Sequence, residues 1–441
     1  MRVHHYLPTA GFIALACLLL TELHAQPPID HQAARKIFAE AEMLCQRDQN
    51  KLWEINLCGP MLFVDPATRD VVANQADSQG LLRPADGVYT GTLPREENIA
   101  NTATAWAGTS WTEILWPLPA EEGARRTLIA HELFHRVQKQ LGLSINSMDE
   151  NAHLDTLQGR LLLQLEYRAL AQALTTQDEQ ASRSAAREAL ALRNERYRQF
   201  PTAASQERAL ELNEGLAEYT GVRIGNEGAV AQKSMALHDL ESHAHDATFV
   251  RSFAYATGPA YGLLLDRFAP QWKQQVRQGA KLDELLAVAL NQAAAPPDAR
   301  EIREIETRYG SAALLASETE RAEQRQKVMA EDRARFVTGP VLQLPLMQMS
   351  IQFNPQNQRP LEGVGTIYPT LRVSDLWGVL EADGGAMVQK DWSWVSVPAP
   401  AKYEGNALHG EGWTLTLKPG WKLQPGKRPG DLEVQKNPEQ R

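Results

Sequence analysis

One pentapeptide constrains this chain more than any other segment: His131-Glu132-Leu133-Phe134-His135, set inside an apolar stretch. Leu128, Ile129 and Ala130 precede it and Val137 follows, a pattern that predicts a buried helix from about Arg126 onward. Two histidines and a glutamate are costly in such a helix unless they serve a purpose. Helical spacing puts His131 and His135 one turn apart on one face, so both imidazoles can reach one cation while Glu132 projects beside it toward a water. Zinc suits this set, because it accepts nitrogen ligands, has no redox chemistry and lowers the pKa of a bound water to about 7. The third ligand must come from elsewhere, since Leu141 stands where a further histidine of the same helical run would be needed.

Downstream, Leu212-Asn213-Glu214-Gly215-Leu216-Ala217-Glu218-Tyr219 places two carboxylates four residues apart on a second helix. Here the chain resembles the gluzincins, zinc peptidases that combine the histidine motif with a glutamate ligand on a following helix. The Asn-Glu-Gly wording looks most like the aminopeptidase and leukotriene-hydrolase branch, and Glu-x-x-x-acid is shared with thermolysin-like enzymes. The resemblance implies Glu214 as the third metal ligand and Glu218 as the carboxylate that fixes a histidine tautomer. It also implies Tyr255, in Tyr255-Ala256-Thr257-Gly258, as a donor to the reaction's oxyanion, with Tyr261 a core residue. The alternatives are two solvated glutamates on an exposed helix and two packed tyrosines.

The chain departs from that family in several places. Arg136 puts a charge where zinc-peptidase helices usually have none, and the interval from 136 to 213 is far longer than in the aminopeptidases. A helical pair inserted between the two zinc helices accounts for it, with Leu161 to Leu165 and Ala185 to Leu192 as its arms. The Gly-x-Met-Glu-Asn type of segment that holds a substrate amino terminus is absent; Gly108 to Trp116 stands upstream instead, as the expected edge strand for an extended substrate. His238, His243 and His245 with Asp246 form a cluster that reads as surface, as a substrate-facing group or as a second metal site.

The expected fold class is α+β: a zincin-like, largely helical catalytic region with a small C-terminal β domain. A helix over Gln32 to Cys45 and strand-like runs at 60–64, 70–73 and 111–116 make an N-terminal α/β part, 26–125, that includes the edge strand. The helical catalytic region covers 126–297. Residues 298–338 are unusually charged and read as one helix linking two domains. After Gly339-Pro340 the pattern alternates, and 339–441 reads as a β domain with Asp383-Gly384-Gly385 as a hairpin tip. Half of the ten tryptophans lie there, as core or as an aromatic surface for glycans or peptides.

Of the 441 residues, 45 are basic and 54 acidic, a net charge of −9 that argues against nucleic acid as a partner. Arg2, the apolar run Ala10–Leu20 and a small residue at Ala25 have the pattern of a signal peptide over 1–25, with an uncleaved membrane anchor as the alternative, so the protein is expected to be exported, periplasmic or secreted, with no stable membrane span afterwards. Cys45 and Cys58 then remain, either as a disulfide closing a small loop worth about 3 kcal/mol or as buried thiols. The combined expectation is an exported zinc metallopeptidase acting on peptide or protein, with Glu132 as general base. The alternative is a zincin-like protein that binds a peptide or cell-wall fragment without cleaving it. A purely structural zinc site fits less well, because three protein ligands leave a fourth position open.

Overall fold

Asp30 starts the first helix, α1 (His31–Asp48), by accepting the Gln32 amide N–H. The computed structural model describes residues 28–94, 97–143, 151–291, 297–354, 357–361, 363–402 and 405–437; the expected leader, 1–25, lies outside them. Cys45, on the buried side of α1, forms a disulfide with Cys58, their Cα atoms 5.7 Å apart.

Six strands follow: β1 (Met61–Val64), β2 (Asp70–Ala73), β3 (Arg83–Ala85), β4 (Val88–Thr92), β5 (Thr102–Trp106) and β6 (Thr109–Leu115). They form one sheet in the order β3-β4-β2-β1-β6-β5, antiparallel except for the parallel β1–β6 pair. Met61 and Phe63 of β1 face the helices, and Leu62 and Val64 face the other side with Val71, Trp106 and Trp111. That is the period-2 alternation of a strand covered on both faces. Ala107 (φ 51°) and Gly108 (φ 72°) turn β5 into β6, the left-handed pair that a two-residue hairpin needs. The order corrects one expectation. Thr109–Leu115, within the segment Gly108 to Trp116, lies between β1 and β5, and the edge belongs to Thr102–Trp106. The parallel β1–β6 pairing joins segments far apart in the chain, and no local pattern announces it.

The helical part comprises α2 (Glu122–Gln138), α3 (Leu157–Thr175), α4 (Glu179–Gln199), α5 (Ala203–Leu210), α6 (Leu216–Gly225), α7 (Gly228–His243), α8 (Phe253–Phe268), α9 (Trp272–Arg277) and α10 (Leu282–Ala289). Helices α3 and α4 are the expected pair, packed along each other. Helix α2 lies between the β5–β6 hairpin and α6. Between α5 and α6, Glu211–Gly215 forms one wide turn in which the Leu216 N–H reaches back to the Glu211 carbonyl, the i→i+5 spacing common at functional sites.

Glycines set the closest approaches. A Cβ at Gly221 or Gly225 of α6 would come within 2.6 or 2.7 Å of the Thr127 backbone on α2. One at Gly258 of α8 would stand 2.3 Å from the Gly215 Cα. The glycines of the Asn213-Glu214-Gly215 and Tyr255-x-x-Gly258 motifs therefore touch each other. Beside α6, Trp53, Phe134 of α2, Tyr219 and Trp272 pack ring to ring, with centroids 5.1 to 6.3 Å apart, and Trp53 donates its indole N–H to Thr220 Oγ1.

The single linking helix expected over 298–338 is two helices, α11 (Ala299–Arg308) and α12 (Ser311–Arg333), broken where Gly310 turns left-handed at φ 77°. Helix α12 packs along α3, where Arg160 and Gln164 bind the buried Glu318 carboxylate, so it belongs to the helical body.

From Val341 to Lys436 the described residues form a seven-stranded and a five-stranded sheet around a shared core that includes Leu344, Val373, Trp377, Val395 and Trp413. The expected hairpin at Asp383-Gly384-Gly385 is a corner: Gly378–Ala382 belongs to the smaller sheet and Ala386–Gln389 to the larger. A corner and a hairpin carry the same glycines and the same flanking alternation. Trp377 and Trp413 are buried, donating to the Pro345 and Pro398 carbonyls, and Trp392 and Trp421 pack against the same core. The whole is α+β, with no described helix long and apolar enough to cross a membrane.

Gly258→Ala should destabilise the protein by about 1–3 kcal/mol, the usual cost of forcing a methyl into a filled contact. Chemical denaturation reads it directly. An unchanged midpoint would mean that α8 does not press on the Glu211–Gly215 turn.

Candidate metal centre

Helix α2 buries His131 and Glu132 and leaves His135 partly covered, and the two histidines reach Glu214 of the Glu211–Gly215 turn. Their ring nitrogens converge with Glu214. His131 Nε2 and His135 Nε2 stand 3.0 Å apart, and Glu214 Oε2 lies 3.6 Å from the first and 3.4 Å from the second. Donors at about 2.0–2.1 Å around a tetrahedral ion would be about 3.3 Å apart, a value these separations bracket. Among the described residues this is the one group of histidine, cysteine and carboxylate atoms arranged to hold a metal ion.

The other ring nitrogens show which way the lone pairs point. His131 Nδ1 donates to Glu218 Oε2 at 2.6 Å. His135 Nδ1 meets Gln138 Oε1 at 2.9 Å, while the Gln138 amide nitrogen donates to the Leu212 and Asn213 carbonyls. That amide is thus oriented with its oxygen toward His135, so Nδ1 carries the proton. Both Nε2 lone pairs then face the same space, as a shared cation requires. Glu214 and Glu218 are divided between the two nitrogens of His131, Oε2 of the first 3.6 Å from Nε2 and Oε2 of the second on Nδ1. Gln138 went unread in the sequence, although its position three residues after His135 on one helix was a signal.

Three carboxylates surround the two imidazoles, and the site calls for positive charge. Burial opposes a charged His131, but the Glu214 and Glu218 carboxylates raise it well above the ordinary histidine range. Burial likewise opposes ionisation of Glu214, and the two histidines outweigh it, holding its carboxyl well below the usual range. Glu132 differs. Burial pushes its carboxyl up, and its Oε2 has no hydrogen-bond partner. Behind it on β6, Glu113 is buried, accepts the Ala100 amide at one oxygen and is pushed up to about 7, mainly by burial.

Tyr255 of α8 comes back over the site. Its hydroxyl donates to Glu214 Oε2 at 2.7 Å, and its ring stacks on His131 with centroids 5.5 Å apart. Burial, with Glu214 adding to it, raises the phenol well above its ordinary value, so it keeps its proton as a donor. Tyr261 is a core residue, its hydroxyl on Glu166. Arg251, one turn before Tyr255, donates to Glu214 Oε1 at 3.1 Å, as does Asn213 of the Asn-Glu-Gly motif; Arg251 did not stand out in the sequence.

Of the histidine cluster, His238 and His245 are exposed. His243 is half-buried, bonded through Nδ1 to Asp246 Oδ2 at 2.7 Å, with its ring 6.0 Å from that of Tyr255. Arg136 keeps its charge out of the site. It donates to the Leu57 and Cys58 carbonyls beside the disulfide, in space that only a glycine at 59 leaves open.

Comparison with protein-family models, curated protein sequences and solved structures finds no match. The geometry therefore carries the functional reading by itself.

Glu218→Ala should weaken metal affinity by about 10- to 100-fold, the usual cost of losing a carboxylate that orients a ligating histidine, while Glu214→Ala should abolish tight binding. Competition with a chromophoric chelator measures both. A larger loss in Glu218→Ala than in Glu214→Ala would reverse their roles.

Proposed function

We propose that this chain is an exported zinc metallopeptidase of the gluzincin kind. The convergence of His131 Nε2, His135 Nε2 and Glu214 Oε2 beside a buried Glu132 whose Oε2 has no hydrogen-bond partner carries this reading. Zinc fits the donor set better than calcium or magnesium, which prefer oxygen-only shells, and three protein ligands leave a fourth position for water or substrate. When bound, zinc would polarise the scissile carbonyl and acidify a water.

The chain's own residues supply the rest. The elevated pKa and unpaired oxygen of Glu132 suit a base that takes the water's proton and returns it to the leaving amine. The Tyr255 hydroxyl, protonated and aimed at the Glu214 oxygen that faces both imidazoles, suits donation to the tetrahedral oxyanion. An extended peptide can pair with β5, an edge strand among the described residues, whose partner β6 packs on α2. The Cys45–Cys58 disulfide accords with an oxidising compartment.

Glu132→Gln tests the reading. The amide keeps the shape and cannot act as a base, so folding and zinc content should persist while cleavage of a peptide library is lost. Equal cleavage by the variant would put the chemistry elsewhere. Peptide binding without cleavage by the unsubstituted protein would favour a zincin-like binder instead.

A further inference from the structure

Behind the metal centre lies a cluster of charges sealed from water. Arg193 of α4 donates Nε to Glu166 Oε1 of α3 at 2.8 Å, and grips Glu211 with Nη1 and Nη2 at 2.8 and 2.6 Å. Arg196, one turn along in the direction of the α4 C-terminus, binds Glu207 with two bonds of 2.7 and 2.6 Å and lies 2.7 Å from Glu166 Oε2. All five side chains are at most 2% exposed. Ion pairs this deep contribute little to stability against well-packed apolar side chains, so their use is better sought in what they hold in place.

What they hold is the metal carboxylate. Glu211 opens the wide turn that ends at Gly215 and precedes Glu214 by three residues. Its Oε1 also accepts the Thr257 hydroxyl at 2.6 Å, two residues past Tyr255 on α8. Glu166 accepts the Tyr261 hydroxyl, further along α8, at 2.9 Å, and Arg193 lies over that ring. One guanidinium on the helical pair thus reaches, through Glu211 and Glu166, the two segments that carry Glu214 and Tyr255.

We propose that α3 and α4 are the frame of the metal centre, with Arg193, Glu211 and Thr257 as positioning residues that set where Glu214 stands relative to the two imidazoles. This rests on the metal reading above. The long interval between His135 and Glu214 thereby acquires a purpose, since the helical pair within it supplies the back wall against which the ligand turn is braced.

Cobalt loading tests it, because the visible spectrum of protein-bound Co²⁺ reports ligand geometry independently of turnover. Two variants perturb the brace gently. Glu211→Gln keeps the shape and leaves Arg193 paired with Glu166, and Thr257→Val removes one hydroxyl without changing charge. Ser182→Ala serves as control, since Ser182 ties α4 to the Ala173 carbonyl of α3 and to Arg267 of α8, about three helical turns from Arg193. The expected result is a shifted Co²⁺ spectrum and affinity lowered about 10-fold or more in Glu211→Gln, a smaller change of the same kind in Thr257→Val, and neither in Ser182→Ala. If Glu211→Gln fails to fold, Thr257→Val decides alone. Unchanged spectrum and affinity in the folded Glu211 and Thr257 variants, or equal changes in the control, would overturn the positioning role while leaving the metal reading intact. No Co²⁺ uptake by the unsubstituted protein would overturn the metal reading and this proposal with it.

Discussion

Two imidazole Nε2 atoms brought within 3.0 Å of each other are the constraint on which the rest of the structure depends. Their Nδ1 protons are committed elsewhere, to Glu218 and Gln138, so with both Nε2 atoms deprotonated two lone pairs face each other and repel. Glu214 brings a negative charge to the same point, and Glu132 waits beside it. A cation between the three donors relieves the repulsion and neutralises the carboxylates at once. Holding such an arrangement together needs a rigid surround on every side.

That surround comes from several parts of the chain. Gly221 and Gly225 let α6 lie directly on α2, and Gly215 and Gly258 bring α8 onto the ligand turn. The aromatic cluster around Trp53 fills the space beside α6. Arg136, next to His135, fastens α2 to the loop that the Cys45–Cys58 disulfide closes. The ion cluster around Arg193 closes the back. Each contact orders a backbone segment rather than touching the reacting atoms, so loss of one is expected to blur the donor geometry before it unfolds the chain.

Much of the site could be read in the sequence because helical geometry is local. The four-residue spacing of His131 and His135, and of Glu214 and Glu218, fixes which groups share a face whatever the tertiary fold. The glycines of both short motifs were visible, and the structure explains them as one contact between two distant segments. Illegible were the features decided by long-range pairing. The edge position of Thr102–Trp106 depends on a parallel partner from the start of the sheet, and the corner at Gly384–Gly385 depends on which sheet each flank joins. Arg251 and Arg193 went unmarked, because nothing local distinguishes a solvated arginine from one gripping a buried glutamate. The charged stretch after Asp298 misled for the same reason, since Glu318 is buried through partners on α3.

Anomalous scattering from crystals of the full protein, recorded on both sides of the zinc absorption edge, tests the central claim most directly. The account predicts one strong peak about 2.0–2.2 Å from His131 Nε2, His135 Nε2 and Glu214 Oε2, and its disappearance below the edge energy. A zinc-saturated crystal with its peak elsewhere, or with Glu214 turned away from the two imidazoles, would contradict it.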